Sequence, residues 1–160
     1  MQWIIAGDGR MAEVVKKDVV DAGLAERFQF LGQLPSEVMP ELFEKADALL
    51  VSLAQAPVFE LTVPGKVQSY LAAGKPILAM IDGEAARVIS EAGAGFTCRA
   101  GDSLGLARIV IQLARKSIVE REQLGASGRR YAFREFPRER LFDQLEAWFL
   151  EATEEMARRY

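Results

Sequence analysis

The hydrophobic positions of this chain come in short runs, each followed by a stretch where they recur at helical spacing. Residues 2–6 are an apolar run stopped by Gly7-Asp8-Gly9, after which Met11, Val14, Val15 and Val19 fall on one face of a helix. Further runs at 28–31, 48–51, 77–80 and 96–98 read as strands. Between them, Pro35-Ser36 opens a helix carrying Met39, Leu42 and Phe43, and two more helices are predicted over 65–73 and about 84–92. Past residue 98 the pattern is helical only. Asp102-Ser103 caps a helix to about Arg115, and Ser117-Ile118-Val119-Glu120 spells a capping box for the next. Pro137 starts a last helix with Leu141, Phe142, Leu145, Trp148, Phe149, Ala152 and Met156 on one stripe, which predicts core or an interdomain contact. Five short strands separated by helices predict a Rossmann-like α/β fold. It has a parallel sheet, helices on both faces and a helical carboxyl-terminal tail.

In such sheets ligands bind beyond the carboxyl ends of the strands. The loops there span 7–10, 32–35, 52–66, 81–84 and 99–103. The loop at 52–63 is long for a compact domain, and long loops tend to be functional. It runs into Pro64-Gly65-Lys66, where a Pro-Gly turn opens a helix with a lysine in its first turn; Gly74 closes that helix. A helix start presents unpaired N–H groups and the positive end of the dipole, so phosphate binds well there, and Lys66 adds a full charge. Plain capping by Pro-Gly and Gly is the competing reading. Glu60, between Phe59 and Leu61, is placed to meet a ligand or to be an ordinary surface carboxylate. For Asp82 and Glu84, which flank Gly83, turn and helix-start roles suffice.

Gly7-Asp8-Gly9-Arg10-Met11-Ala12 follows a strand and precedes a helix, the outline of a dinucleotide fingerprint. That cofactor also needs an acid closing the second strand. The strand leads instead into Leu31-Gly32-Gln33, so a tight turn, or a turn lining another nucleotide, fits better.

Composition narrows the chemistry. The 160 residues suit one domain or half of a larger enzyme, and the net charge of −3 without a long basic run argues against nucleic acid as partner. Histidine is absent and Cys98 is the single cysteine, so a metal site is not suggested, no disulfide forms within the chain, and a reducing compartment fits. No apolar run approaches the length of a membrane span. The chain begins directly in a strand, which predicts no signal peptide and an excised piece of a longer polypeptide.

Four segments occur in register: 4–10 (IIAGDGR), 30–35 (FLGQLP), 43–48 (FEKADA) and 70–76 (YLAAGKP). With them the chain resembles, over about residues 1–135, the carboxyl-terminal, donor-binding half of a retaining, nucleotide-sugar-dependent glycosyltransferase of the group 1, glycogen-synthase-like family, which has the two-domain GT-B fold. The resemblance implies a nucleotide-diphosphate sugar as donor substrate, no cofactor and no metal. It places the diphosphate at Pro64, Gly65 and Lys66, with Gly7, Gly9 and Arg10 nearby. Gln33 and Leu34 fall by the base, Gln68 and Ser69 by the ribose, and Asp82 and Gly83 in a loop on the sugar side. The family's two motif glutamates fall on Leu61 and Ser69 here; the adjacent Glu60 is expected to take the catalytic, sugar-holding place.

The implied organisation is a donor-binding domain over 1–135 and a carboxyl-terminal helix over 136–160, packed on that domain or on a missing amino-terminal acceptor half. The implied whole is a hexosyl- or N-acetylhexosaminyl-type transferase of cell-surface polysaccharide synthesis. It is expected to be cytoplasmic, with peripheral association at the inner membrane, and the present piece is expected to be inactive alone. A non-catalytic nucleotide or sugar-phosphate binding module and a GT-B epimerase are the alternatives.

Overall fold

The computed structural model describes residues 1–159, with side chains over 1–137 and 142–153. All five expected strands are present: β1 Trp3–Ala6, β2 Phe28–Gly32, β3 Leu49–Ser52, β4 Ile77–Met80 and β5 Gly95–Cys98. The helices are α1 Ala12–Asp21, α2 Met39–Lys45, α3 Pro57–Glu60, α4 Gly65–Ala73, α5 Gly83–Glu91, α6 Ser103–Ala114, α7 Ile118–Glu135 and α8 Arg138–Arg159. Every pairing is parallel, as expected, but the strands form two sheets, β1-β2 and β3-β4-β5. The chain divides into two compact units, Met1–Leu42 and Phe43–Tyr160.

In the first unit β1 lies in register with β2, Trp3 opposite Phe28 and Ile5 opposite Phe30, until the register shifts between Ile5 and Ala6. Trp3 stacks on Phe28 and Phe28 on Phe30, both with centroids 6.2 Å apart. In α1 and at Met11 just before it the periodic apolar positions behave unevenly: Val19 is buried, whereas Met11, Val14 and Val15 are exposed. Periodicity marks the apolar face of a helix; it does not guarantee a cover for it.

The second unit holds the core. Val51, Ile77, Ala79 and Ile81 from the sheet side meet Val67 and Leu71 of α4, Val88 and Ile89 of α5, and Ala94. Helix α4 lies against α7 because the contact is made of small residues. A side chain at Gly128 would press on Leu71 and Ala94, and one at Gly125 would run into the Gly74 carbonyl. Gly74 ends α4 in the left-handed conformation at φ 71°. The Arg129 guanidinium donates to the carbonyls of Ala72 (3.2 Å) and Ala73 (2.8 Å), placing a cation at the negative end of the α4 dipole.

The later helices start as their sequences predict. Asp102 accepts from the Gly105 N–H at 2.7 Å, and the full capping box of Ser117 and Glu120 opens α7. The Lys116 ammonium, then the backbone N–H and hydroxyl of Ser117, hold the Glu120 carboxyl down at about 2. A carboxyl whose folded value is depressed contributes its stability above the ordinary 4.5 and loses it as pH falls toward the folded value. Glu120→Gln is therefore expected to flatten the acid limb of a melting-temperature profile between those two pH values. An unchanged limb would take Glu120 out of the acid response.

Helix α8 presents Phe142, Leu145, Trp148 and Phe149 as exposed side chains. The Leu141 and Met156 side chains, expected on the same stripe, lie outside the described residues. No described helix is long and apolar enough to cross a membrane.

Candidate functional site

The second unit presents its candidate residues on the segments after β3 and β4. Pro64 sits extended at φ −59°, ψ 141°, and turns the chain directly into α4. No side chain caps this start, and the first inward bond runs from the Val67 N–H to the Pro64 carbonyl at 2.8 Å. The N–H groups before it have no acceptor in their own helix, the usual state of a helix start and the basis of anion binding there. Gly65 is exposed, and a Cβ built on it would meet nothing within 4 Å, so an anion has room to reach the backbone. Lys66 is exposed, and no hydrogen bond or ion pair holds its ammonium among the described residues. Gln68 is exposed beside it, and the Ser69 hydroxyl donates back to the Gly65 carbonyl at 3.1 Å.

The long loop is not loop throughout: residues 57–60 wind into α3. Pro57 starts this turn, where its fixed φ suits the first helical position and its missing N–H costs nothing. Thr62 donates its hydroxyl to the Val58 carbonyl at 3.3 Å at the other end. Glu60 is the last residue of α3, exposed, with no partner on its carboxylate among the described residues. Its backbone abuts Gly83, the first residue of α5. Leu61, on which the resemblance puts a family glutamate, is 83% exposed. Asp82 does not cap α5; its Oδ2 accepts from the Ala100 N–H at 3.3 Å and ties the segment after β4 to the one after β5. Glu84 pairs with Arg87 (Nε to Oε2 2.8 Å), which lowers the Glu84 pKa.

In the first unit, Gly7 follows β1 at φ 129° and donates its N–H to the Gly32 carbonyl at 2.7 Å. Both conformations, with φ 66° at Gly32, favour glycine. Gly9 and Arg10 are exposed after β1; after β2, Gln33 is exposed and Leu34 half-buried.

The structure thus assembles the candidates in separate groups. Glu60, Asp82 and Gly83 meet where α3 touches the start of α5, and Pro64, Gly65, Lys66, Gln68 and Ser69 share the opening of α4. Gly7, Gly9, Arg10, Gln33 and Leu34 flank the ends of β1 and β2. Sequence reasoning missed Arg129, whose contact with α4 spans 56 positions to Ala73 and leaves no local signal. It also missed α3, for which Ala56-Pro57 was the available cue. An open hollow of about 470 Å³ lined by Arg108, Ile111, Gln112, Arg115, Lys116 and Glu120 lies on α6 and α7 and includes none of the candidates.

The uncapped α4 start with the exposed Lys66 in its first turn, set in a parallel α/β fold, is an arrangement that suits an anion. The chain belongs to the group 1 glycosyl transferases, whose family model matches residues 1–116. It is 35% identical over 109 residues to the "Probable glycosyltransferase WbjE" of Pseudomonas aeruginosa, a match covering 67% of this chain and 27% of that protein. Among solved structures it is similar to Anabaena Alr3699/HepE in complex with UDP-glucose, with a TM-score of 0.76 at 20% identity over 91% of this chain and 41% of that one. It is also similar to a mutant of S. aureus TarM in complex with Fondaparinux, alpha-GlcNAc-glycerol and UDP, with a TM-score of 0.79 at 14% identity over 93% and 29%. These neighbours have the GT-B fold, and the chain spans 27%, 41% and 29% of the lengths of the three proteins just named.

Proposed function

We propose that this chain is the donor-binding half of a nucleotide-sugar glycosyltransferase, holding the donor's diphosphate at the start of α4. The observation that carries the reading is the uncapped α4 start with the unpartnered Lys66 ammonium in its first turn. Membership in the group 1 family supports it, and the UDP complexes of HepE and TarM make UDP the nucleotide of choice.

In the transfer, the bond between the anomeric carbon and the diphosphate oxygen breaks while the acceptor hydroxyl forms its own bond to that carbon and releases its proton. Negative charge gathers on the departing diphosphate. The α4 N–H groups, the helix dipole and Lys66 stabilise that charge where it develops, with no metal called for. The finer parts of the reading rest on the family resemblance. They are retention of configuration, an N-acetylhexosaminyl or hexosyl donor, a surface polysaccharide as product, an acceptor half contributed from outside this chain, and a cytoplasmic location with peripheral contact to the inner membrane.

The test is calorimetry with UDP and with uridine, in EDTA. Wild-type chain is expected to bind UDP and to bind uridine more weakly. Lys66→Ala is expected to lose about 1.5–3 kcal/mol for UDP, the scale of one charge-assisted hydrogen bond, and nearly nothing for uridine. Equal loss for both ligands, or none, returns Lys66 to a solvated surface charge. No binding of either ligand removes the donor-binding reading.

A further inference from the structure

We infer that Gly83 is a positioning residue for the donor sugar: it lets α5 start directly against the backbone of Glu60 and so fixes where that carboxylate is presented. The inference rests on the donor-binding reading above and deepens it. Two independent features make the position demanding. Gly83 has φ 71°, a conformation that disfavours residues with a Cβ. A Cβ built there would also overlap the carbonyl oxygen, the Cα and the carbonyl carbon of Glu60, all backbone atoms that no rotamer change can move aside. Val58 and Leu61 are exposed, and the α3 segment's own bonds are local, from the Phe59 N–H to Ala56 (3.0 Å) and from Thr62 to Val58 (3.3 Å). The start of α5 is firm by contrast. Ile81 and Ala85, on either side, are fully buried, and Asp82 is tied to Ala100. A short, solvent-facing turn thus meets the firm start of α5 at Gly83, and the residue at that contact bears a carboxylate with no partner among the described residues.

The experiment compares Gly83→Ala with Gly101→Ala. Gly101 has a similar φ of 78° but nothing within 4 Å of a built Cβ, so it carries the conformational penalty without the collision. Amide hydrogen exchange over residues 57–61 is expected to quicken in Gly83→Ala and to stay at wild-type level in Gly101→Ala. Equal exchange in the two variants overturns the inference whatever the ligand.

The second arm uses UDP and UDP-glucose as probes and reads the ratio of their affinities. Gly83→Ala is expected to lose the sugar's contribution while keeping UDP affinity. In a Glu60→Gln background it is expected to change that ratio no further, because the carboxylate it positions is gone. An undiminished further loss in that background, or a fall in UDP affinity matching the fall for UDP-glucose, assigns Gly83 to general stability and overturns the inference. Failure of the wild-type chain to bind UDP counts against the donor-binding reading instead, and the exchange result then decides the positioning claim alone.

Discussion

Leu71→Ala is expected to destabilise the chain by about 2–5 kcal/mol, the range for emptying a fully buried leucine site. Leu71 has no solvent exposure, and it is the α4 side chain that meets α7 at Gly128. The cost stands at the upper part of the range if the surroundings cannot collapse into the gap. Several features limit collapse here. Gly128 already brings α7 close to α4, the Arg129 guanidinium fixes the end of α4, and Gly125 leaves no slack against the Gly74 carbonyl. Urea unfolding checks it: the midpoint should fall with little change in slope. Leu104→Ala, on the exposed face of α6, is the control and should stay within about 0.5 kcal/mol of wild type. A Leu71→Ala variant as stable as that control would mean that α4 is not held by this contact.

The same helix shows how far the sequence could be read. Its bounds were legible because both ends carry local signals: Pro64-Gly65 at the start and Gly74 at the end. The capping box of α7 was legible for the same reason, since Ser117 and Glu120 satisfy one another within a turn. The parallel strands followed from short apolar runs between helices. Their division into two sheets did not, because a buried parallel strand looks alike wherever it pairs. The turn at 57–60 is too short to show a period. The contact of Gly83 with Glu60 and that of Arg129 with α4 join residues far apart in the chain, and composition around either partner says nothing of the other. The apolar spacing of Met11, Val14, Val15 and Val19 marks one helical face, yet the first three are exposed; a period identifies a face without identifying what lies on it.

For the candidate site, the sequence located the opening of α4 by the general physics of helix ends. Glu60 stood out by its place in the long loop, with an ordinary surface carboxylate as the competing reading, and the resemblance added that it is the nearest carboxylate to a displaced motif position. The structure adds a physical argument for that residue. A sugar ring offers hydroxyl donors, and an ionised carboxylate can accept from two of them at once. The Glu60 carboxylate is exposed and has no partner among the described residues. The Ser69 hydroxyl, by contrast, is short and donates into its own helix at Gly65. Glu60→Gln keeps the size and removes the charge. In a polypeptide carrying both halves of the enzyme it is expected to slow release of UDP from UDP-glucose by about ten- to a hundredfold, matching the loss of roughly 1.5–3 kcal/mol from one hydrogen bond to a charged group. Affinity for free UDP should stay within about twofold, since each 1.4 kcal/mol is a factor of ten and no nucleotide contact is removed. Ser69→Ala should do the reverse, weakening UDP mildly and leaving turnover near wild type. A Glu60→Gln enzyme that loses UDP and UDP-glucose equally would move this carboxylate to the nucleotide, and one that loses neither would make it a solvated surface group.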